Sequence, residues 1–195
     1  MRNAIIERET KETKISAILE IDGSGKSEIE TGCGFLDHML TLFAHHGGFD
    51  LKLNCIGDIE VDAHHTTEDC GIVLGSVFKK ALGSMNGINR YGSFMLPMDE
   101  SLVVCSLDIS GRSLYRHNFM IPSQKVGDFD TELVNEFFEA FARSMNITLH
   151  FVQIRGENSH HIIEAAFKDF GRALKQAVLI DEKNADKIPS TKGLL

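Results

Sequence analysis

Positive charge is scarce in this chain. Its 195 residues carry 20 Lys and Arg against 28 Asp and Glu, a formal net charge of −8. That balance argues against a nucleic-acid surface, and any anionic substrate must be met by a local basic cluster. Cysteine is sparse as well. Cys33, Cys55, Cys70 and Cys105 are widely spaced and form no Cys-x-x-Cys pair, which speaks against a disulfide or zinc framework and for reduced thiols in the cytoplasm. No apolar run approaches the roughly 18 residues of a membrane span, and the N-terminus lacks a signal-peptide pattern. Neither nucleic acid nor membrane is an expected partner. The remainder is ordinary globular material, 43% hydrophobic and 25% charged, enough for one large domain or two small fused ones.

Histidine is limited to nine residues, yet four of them stand in two near-identical phrases. The first is Asp62-Ala63-His64-His65-Thr66-Thr67-Glu68-Asp69; the second is Asn158-Ser159-His160-His161-Ile162-Ile163-Glu164. Both read His-His-x-x-Glu. The first runs into Val73, Leu74, Val77, Phe78 and Ala81, and the second into Phe167, Phe170, Leu174, Ala177 and Val178, at helical spacing. Asp62 and Ser159 stand where N-caps are expected. The first His and the Glu then share a face, and the second His points away by roughly 100°. Diverging imidazoles suit different metal ions, or ions shared with another chain. A lone His-His pair is usually a solvated helix start; two copies with the same Glu offset point to a divalent transition metal, for which imidazole and carboxylate are suitable ligands.

Along the chain, a charge-rich start leads into a strand alternating through Ile15, Ala17, Leu19 and Ile21. Asp22 to Ser27 is a turn. It resembles a phosphate loop only superficially, because Glu20 stands where the Walker pattern needs Gly; it predicts a hairpin into a strand near Ser27 to Thr31. The spacing predicts a first helix over Gly32 to His46, carrying Asp37, His38, His45 and His46 and stopped by Gly47-Gly48. Phe49, Leu51 and Leu53 alternate as a strand, and Ile59 and Val61 continue it extended to the first phrase, whose helix ends near Gly83. The plan then restarts. Strands are expected at Ser93 to Met98, Leu102 to Asp108 and Leu114 to Phe119, a helix over Phe129 to Met145, a strand through Ile147, Leu149 and Phe151, and the second phrase's helix to about Ile180. Asp181 to Leu195 is polar and irregular.

The restart aligns without gaps over one helix and strand. Phe35-Leu36-Asp37-His38-Met39-Leu40 falls on Leu133-Val134-Asn135-Glu136-Phe137-Phe138, and Leu51 on Leu149. Each half thus offers a further candidate ligand, His38 in one and Glu136 in the other. An internal duplication is the simplest account, with repeats over 1–88 and 89–180 and a tail over 181–195. Strands mixed with helices in this order give an α/β fold, an α+β sandwich in which each half contributes a sheet and two helices. His38 and Glu136 with the six residues of the phrases make eight ligands, which suits two ions with room for substrate.

These stretches, together with Thr31-Gly32-Cys33-Gly34, Gly57-Asp58, Arg90-Tyr91-Gly92, Pro97-Met98-Asp99-Glu100, Asp108-Ile109-Ser110-Gly111-Arg112, Gly156 to Glu164 with Phe167-Lys168, and Ser190-Thr191-Lys192-Gly193, closely resemble the imidazoleglycerol-phosphate dehydratases of histidine biosynthesis. The resemblance implies two four-stranded mixed sheets enclosing four helices, and a homo-oligomer of 24 subunits. It implies two Mn2+ ions per active site, held by His38, His64, His65, Glu68, His160, His161 and Glu164. At the eighth ligand position, commonly His, this chain has Glu136, and a carboxylate serves Mn(II) well.

It further implies removal of water from D-erythro-imidazole-glycerol phosphate to give imidazole-acetol phosphate through a metal-bound imidazolate. Glu12 is the nominated base, and catalysis falls to Glu12, His64, Glu68, His160 and Glu164. His46 matches a pocket residue. Arg90, Arg112, Lys168 and Lys192 match the phosphate contacts, with Ser190 as a hydroxyl donor and Thr191 a further substrate-binding residue, so the tail reads as a segment that clamps over substrate. Asp69 is a candidate to orient a ligand His; Asp99 and Glu100 match family motifs without a role. Two other classes use similar residues. A dinuclear metal hydrolase would need the same ligands, and a metal-storage protein would not need Glu12 or the basic set.

Overall fold

The computed structural model describes residues 2–194. The first half forms β1 (Asn3–Glu9), β2 (Thr13–Glu20), β3 (Ser27–Glu30), α1 (Gly34–Gly47), β4 (Asp50–Gly57) and α2 (His64–Leu82). The second forms β5 (Tyr91–Met98), β6 (Ser101–Asp108), β7 (Leu114–His117), a small ribbon of β8 (Lys125–Val126) and β9 (Phe129–Asp130), α3 (Leu133–Met145), β10 (Thr148–Arg155) and α4 (Ser159–Val178). The two main sheets have the same plan, β1-β2-β4-β3 and β5-β6-β10-β7. In each, a long antiparallel hairpin leads to a third antiparallel strand, and a short fourth strand joins parallel. This is an internally duplicated α/β fold of two mixed sheets with four helices between them. Among the described residues, no helix is long and apolar enough to cross a membrane.

The inward faces follow from alternation. Ile15, Ala17 and Leu19 of β2 and Val103, Cys105 and Leu107 of β6 are buried, as period-2 patterning requires. The start of α1 is fixed by Asp37, whose carboxylate accepts from the Thr31 amide at 2.8 Å and the Thr31 hydroxyl at 2.6 Å. Its end is fixed by Gly48 in the left-handed region (φ 72°), whose N–H caps the last carbonyls.

Helices α1 and α2 lie on the first sheet, and α3 and α4 on the second. Across the middle each packs against a helix of the other half, α1 with α4 and α2 with α3. Glycine permits the approach. A Cβ on Gly75 of α2 would lie 2.5 Å from the Phe141 carbonyl oxygen of α3; one on Gly171 of α4 would lie 2.6 Å from the Phe43 carbonyl oxygen of α1. Phe43 and Phe141 are themselves counterparts in the two halves, and Phe170 joins them, stacked on Phe43 at 5.2 Å and edge-on to Phe141 at 4.9 Å. Aromatic pairs at these separations favour such geometries.

The structure departs from the sequence reading in several places. Residues 3–9 are a strand: Asn3, Ile5, Glu7 and Glu9 are exposed on the outer face of an edge strand, while Ala4 faces the core and Arg8 turns inward to Asp69. β3 makes no hairpin with β2; it crosses over and joins β4 in parallel. Ile59 and Val61 lie in a turn, closed by the Val61 amide on the Asp58 carbonyl at 2.8 Å. Helix α1 begins at Gly34. Helix α3 begins at Leu133, because the Thr131 amide and hydroxyl bond to Gln124 and Ser123 and hold the β8–β9 ribbon apart from it. The tail contains a single 3-10 turn at Glu182–Asn184 and is tied to Gly87 by bonds through Asp181 and Lys187.

One buried group has no counterpart. Asp169 of α4 is fully buried with neither carboxylate oxygen hydrogen-bonded; the matching position of α2 is Val73. Burial pushes its carboxyl up to about 8, from an ordinary 3.8. The folded chain therefore keeps a proton that the unfolded chain releases, and stability falls as pH rises from about 4 to about 8, then levels off. Asp169→Val is expected to stabilise by roughly 1–3 kcal/mol at pH 8 and by less at pH 5. Urea melts at both pH values check this, and a loss of stability at pH 8 would refute it.

Candidate metal centre

The crossing of α1 and α4 brings His38 from the first half to His160 and Glu164 from the second. His160 Nε2 lies 3.1 Å from Glu164 Oε2, and His38 Nε2 lies 4.0 Å from the same oxygen. One ligand atom from each of the three falls within 4.8 Å of the others. The phrase is aimed by its cap. Asn158, not Ser159, is the N-cap of α4; its side chain accepts from the His160 and His161 amides at 2.9 and 3.3 Å. Phe35 packs edge-on to the His160 ring at 5.2 Å. Burial alone would raise the Glu164 carboxyl, but the Lys168 ammonium in contact with it, with His160 and His38, outweighs burial and holds it below the usual range. His46 lies on the same side. Burial, then the charges of Lys168 and Arg172, keep its imidazole below the ordinary value.

The second histidines turn elsewhere, as the helical geometry requires. His65 presents Nδ1 to Asp58 Oδ2 at 2.9 Å, with its Nε2 3.8 Å from Glu12 Oε1. His161 presents Nδ1 to Glu100 Oε2 at 2.7 Å, with its Nε2 3.8 Å from Asp99 Oδ2. Each carboxylate raises its imidazole's affinity for a proton. His161 and the amides of Asn158 and Glu157 hold the Glu100 carboxyl well below the carboxylate range.

The crossing of α2 and α3 carries His64, Glu68 and Glu136 at the corresponding positions. There the pattern is looser: Glu68 is engaged by Arg143 at 2.9 Å, and among the described residues only the first crossing gathers three ligand atoms. The first phrase is capped differently too. The N-cap position of α2 is Ala63, and Asp62 accepts from the His64 amide at 2.7 Å from one residue further out. Asp69 orients no histidine; it bonds the Thr13 hydroxyl and pairs with Arg8.

The basic residues divide into two sets. Lys168 is one turn from Glu164. Arg90 lies at the far end of α4, its amide bonded to the Ala177 carbonyl at 2.9 Å, which is about 25 Å along the helix from His160. Arg90 holds a left-handed backbone (φ 72°), a strained conformation for a side-chain-bearing residue. It is fixed by a forked bond to Asp108 at 2.7 and 3.1 Å and by a bond to the Pro189 carbonyl at 3.0 Å. Through Pro189 the segment Ser190, Thr191 and Lys192 is held beside Arg90. Arg112 folds back on the Ser110 carbonyl at the same end of β6.

With this geometry in hand, likeness to known proteins is direct. The family model of imidazoleglycerol-phosphate dehydratase matches residues 31–174. The imidazoleglycerol-phosphate dehydratase of Xanthobacter autotrophicus is 55% identical over 197 residues, covering 100% of this chain and 99% of that protein. That of Oceanobacillus iheyensis is 56% identical over 195 residues, with both chains fully covered. Solved dehydratase structures from Staphylococcus aureus and Pyrococcus furiosus superpose with TM-scores of 0.83 at 42% and 40% identity, over 91% and 97% of this chain and 99% and 100% of theirs. These likenesses put the chain among dehydratases built on a doubled sheet-and-helix sandwich. It belongs to the imidazoleglycerol-phosphate dehydratase family.

Asp58, Glu100 and Arg143 carry no role in the sequence reading. Glu100 had a signal: it directly precedes β6 as Glu12 directly precedes β2, so extending the repeat to the hairpins pairs them. Asp58 meets His65 through the turn that leads into α2, whereas Arg143 meets Glu68 only through tertiary packing. The cap makes a testable point. Asn158→Ala should cost about 1 kcal/mol in denaturant melts, whereas Asn158→Ser keeps a side-chain acceptor at the cap and should cost less. Equal losses would show that the cap was misidentified.

Proposed function

We propose that this chain removes water from D-erythro-imidazole-glycerol phosphate to give imidazole-acetol phosphate, in histidine biosynthesis. The reading includes two Mn2+ ions per active site and sites shared between copies in a homo-oligomer of 24 subunits. The observation that carries it, beside family membership, is the meeting of His38, His160 and Glu164 at one helix crossing. Two imidazoles and a carboxylate at that spacing fit a divalent transition ion. The residues that would hold one ion are His38, His160 and Glu164, and those for the other are His64, Glu68 and Glu136. His65 and His161, turned away from these groups, would reach ions of neighbouring copies. When bound, such ions act as Lewis acids on the substrate's imidazole ring, easing loss of its nitrogen-bound proton.

The chain's own residues supply the rest. Glu12, half-exposed at the β1–β2 turn beside His65, is the base that takes a proton from the carbon next to the departing hydroxyl. The hydroxyl leaves as water with the proton given up by the ring nitrogen, the proton taken by Glu12 returns to the ring, and the resulting enol tautomerises to the ketone. His46, held neutral beside Lys168, lines the pocket. Arg90 and Arg112 supply forked donors to the phosphate, with Lys192 a point charge and Ser190 and Thr191 further donors. Their distance from His160 exceeds the length of such a substrate. The metal side of one copy and the phosphate side of another would therefore complete one pocket, with the tail closing over it.

A chelator should abolish ketone formation and yield smaller particles in sedimentation; full turnover by metal-free protein would overturn the reading. Glu136→Ala should weaken one of the two ions and collapse turnover, while Glu136→His should restore much of both. Metal content per chain decides. Two ions retained in Glu136→Ala with normal turnover would remove Glu136 from the ligand set.

A further inference from the structure

The two hairpins superimpose in sequence, so Glu12 and Glu100 are counterparts, each directly ahead of the second strand of its hairpin. Their surroundings differ. Glu100 Oε2 is 2.7 Å from His161 Nδ1, and its Oε1 accepts from the amides of Asn158 at 2.8 Å and Glu157 at 3.1 Å. Glu12 makes no such bond; it stands 3.8 Å from the opposite ring nitrogen, Nε2, of His65. The Nδ1 of His65 is taken by Asp58 at 2.9 Å. Asp58 lies in the β4–α2 turn, its amide bonded to the Glu12 carbonyl at 3.1 Å. One half thus holds its second histidine with the hairpin glutamate, and the other has moved that contact to the turn before the helix.

We propose that Glu100 and Asp58 are the positioning residues of His161 and His65, each accepting the Nδ1–H so that Nε2 carries the lone pair. Asp58 thereby releases Glu12, the counterpart of Glu100, for proton transfer beside His65. A histidine offers a lone pair at only one nitrogen when neutral, and the hydrogen bond at the other nitrogen selects which. Glu100 also makes the selection sensitive to a single atom. The amides of Asn158 and Glu157 require an oxygen at Oε1. In Glu100→Gln the oxygen stays with those amides, and the –NH2 is left facing His161 Nδ1. A donor there favours the opposite tautomer, with the proton on Nε2 and no lone pair for an ion.

The role of Glu12 rests on the dehydratase reading above; the roles of Glu100 and Asp58 are read from metal affinity alone. The test is titration of purified full-length protein with Mn(II), following free Mn(II) by electron paramagnetic resonance. Glu100→Gln and Asp58→Ala should each weaken one of the two ions about 10–100-fold, with melting temperature and particle size of the apo protein unchanged. Glu12→Gln should keep both affinities within about twofold of the parent. At saturating Mn(II), Glu100→Gln should regain turnover, and Glu12→Gln should not. Parent-like affinity in either Glu100→Gln or Asp58→Ala overturns the assignment for that residue, and loss of an ion in Glu12→Gln overturns it as well. Glu100→Ala separates a structural role: if it lowers the melting temperature while Glu100→Gln matches the parent in Mn(II) affinity, Glu100 serves only the backbone and the proposal falls. A parent that binds two ions but does not turn over the imidazole diol phosphate overturns the dehydratase reading and leaves the positioning result standing.

Discussion

Close approach of helices from opposite halves is the constraint on which the rest of this structure depends. Two backbones meet only where a side chain is missing, and Gly75 and Gly171 supply the gaps against the Phe141 and Phe43 carbonyls. The crossings set the separation of the two sheets, and they seat the counterpart rings of Phe43 and Phe141 beside each other in the core. They also decide which functional groups can meet. His38 reaches His160 and Glu164 because α1 packs on α4; among the described residues of its own half it joins no such group.

Much of this was legible in the sequence, and the reasons are particular. The His-His-x-x-Glu phrases announce both helix position and facing, since helical periodicity is a local property. The duplication is legible because residues such as Phe35 to Leu40 and Leu133 to Phe138 keep the same apolar spacing. What the sequence hides is non-local. β3 joins β4 in parallel, a choice set by crossover and not by the turn at Asp22 to Ser27. The strand at Asn3–Glu9 has a charged outer face and too few buried residues to show alternation. Asp69 looked like a partner for a histidine of its own phrase, but it faces the sheet, where Arg8 and Thr13 claim it.

Charge in this acidic chain is managed locally. Lys168 is kept beside Glu164, where it outweighs burial and keeps the carboxylate ionised among histidines. Arg90 is locked by Asp108 in a backbone conformation that it would not adopt unaided. The halves have diverged in such details more than in fold. Glu164 answers to Lys168, whereas Glu68 answers to Arg143 from the facing helix.

The exchange of helix partners bears on ancestry. A chain severed between Leu82 and Tyr91 would yield two pieces, each a sheet with two helices whose apolar sides lack the helix they cross. Neither piece could bury its own core. A primordial gene encoding one such piece would have been viable only as a symmetric pair, with two identical centres at its two crossings. Fusion into one reading frame would relax that identity. From then on a substitution could alter one centre and spare the other, which is how one glutamate could come to grip a backbone loop while its twin stood free.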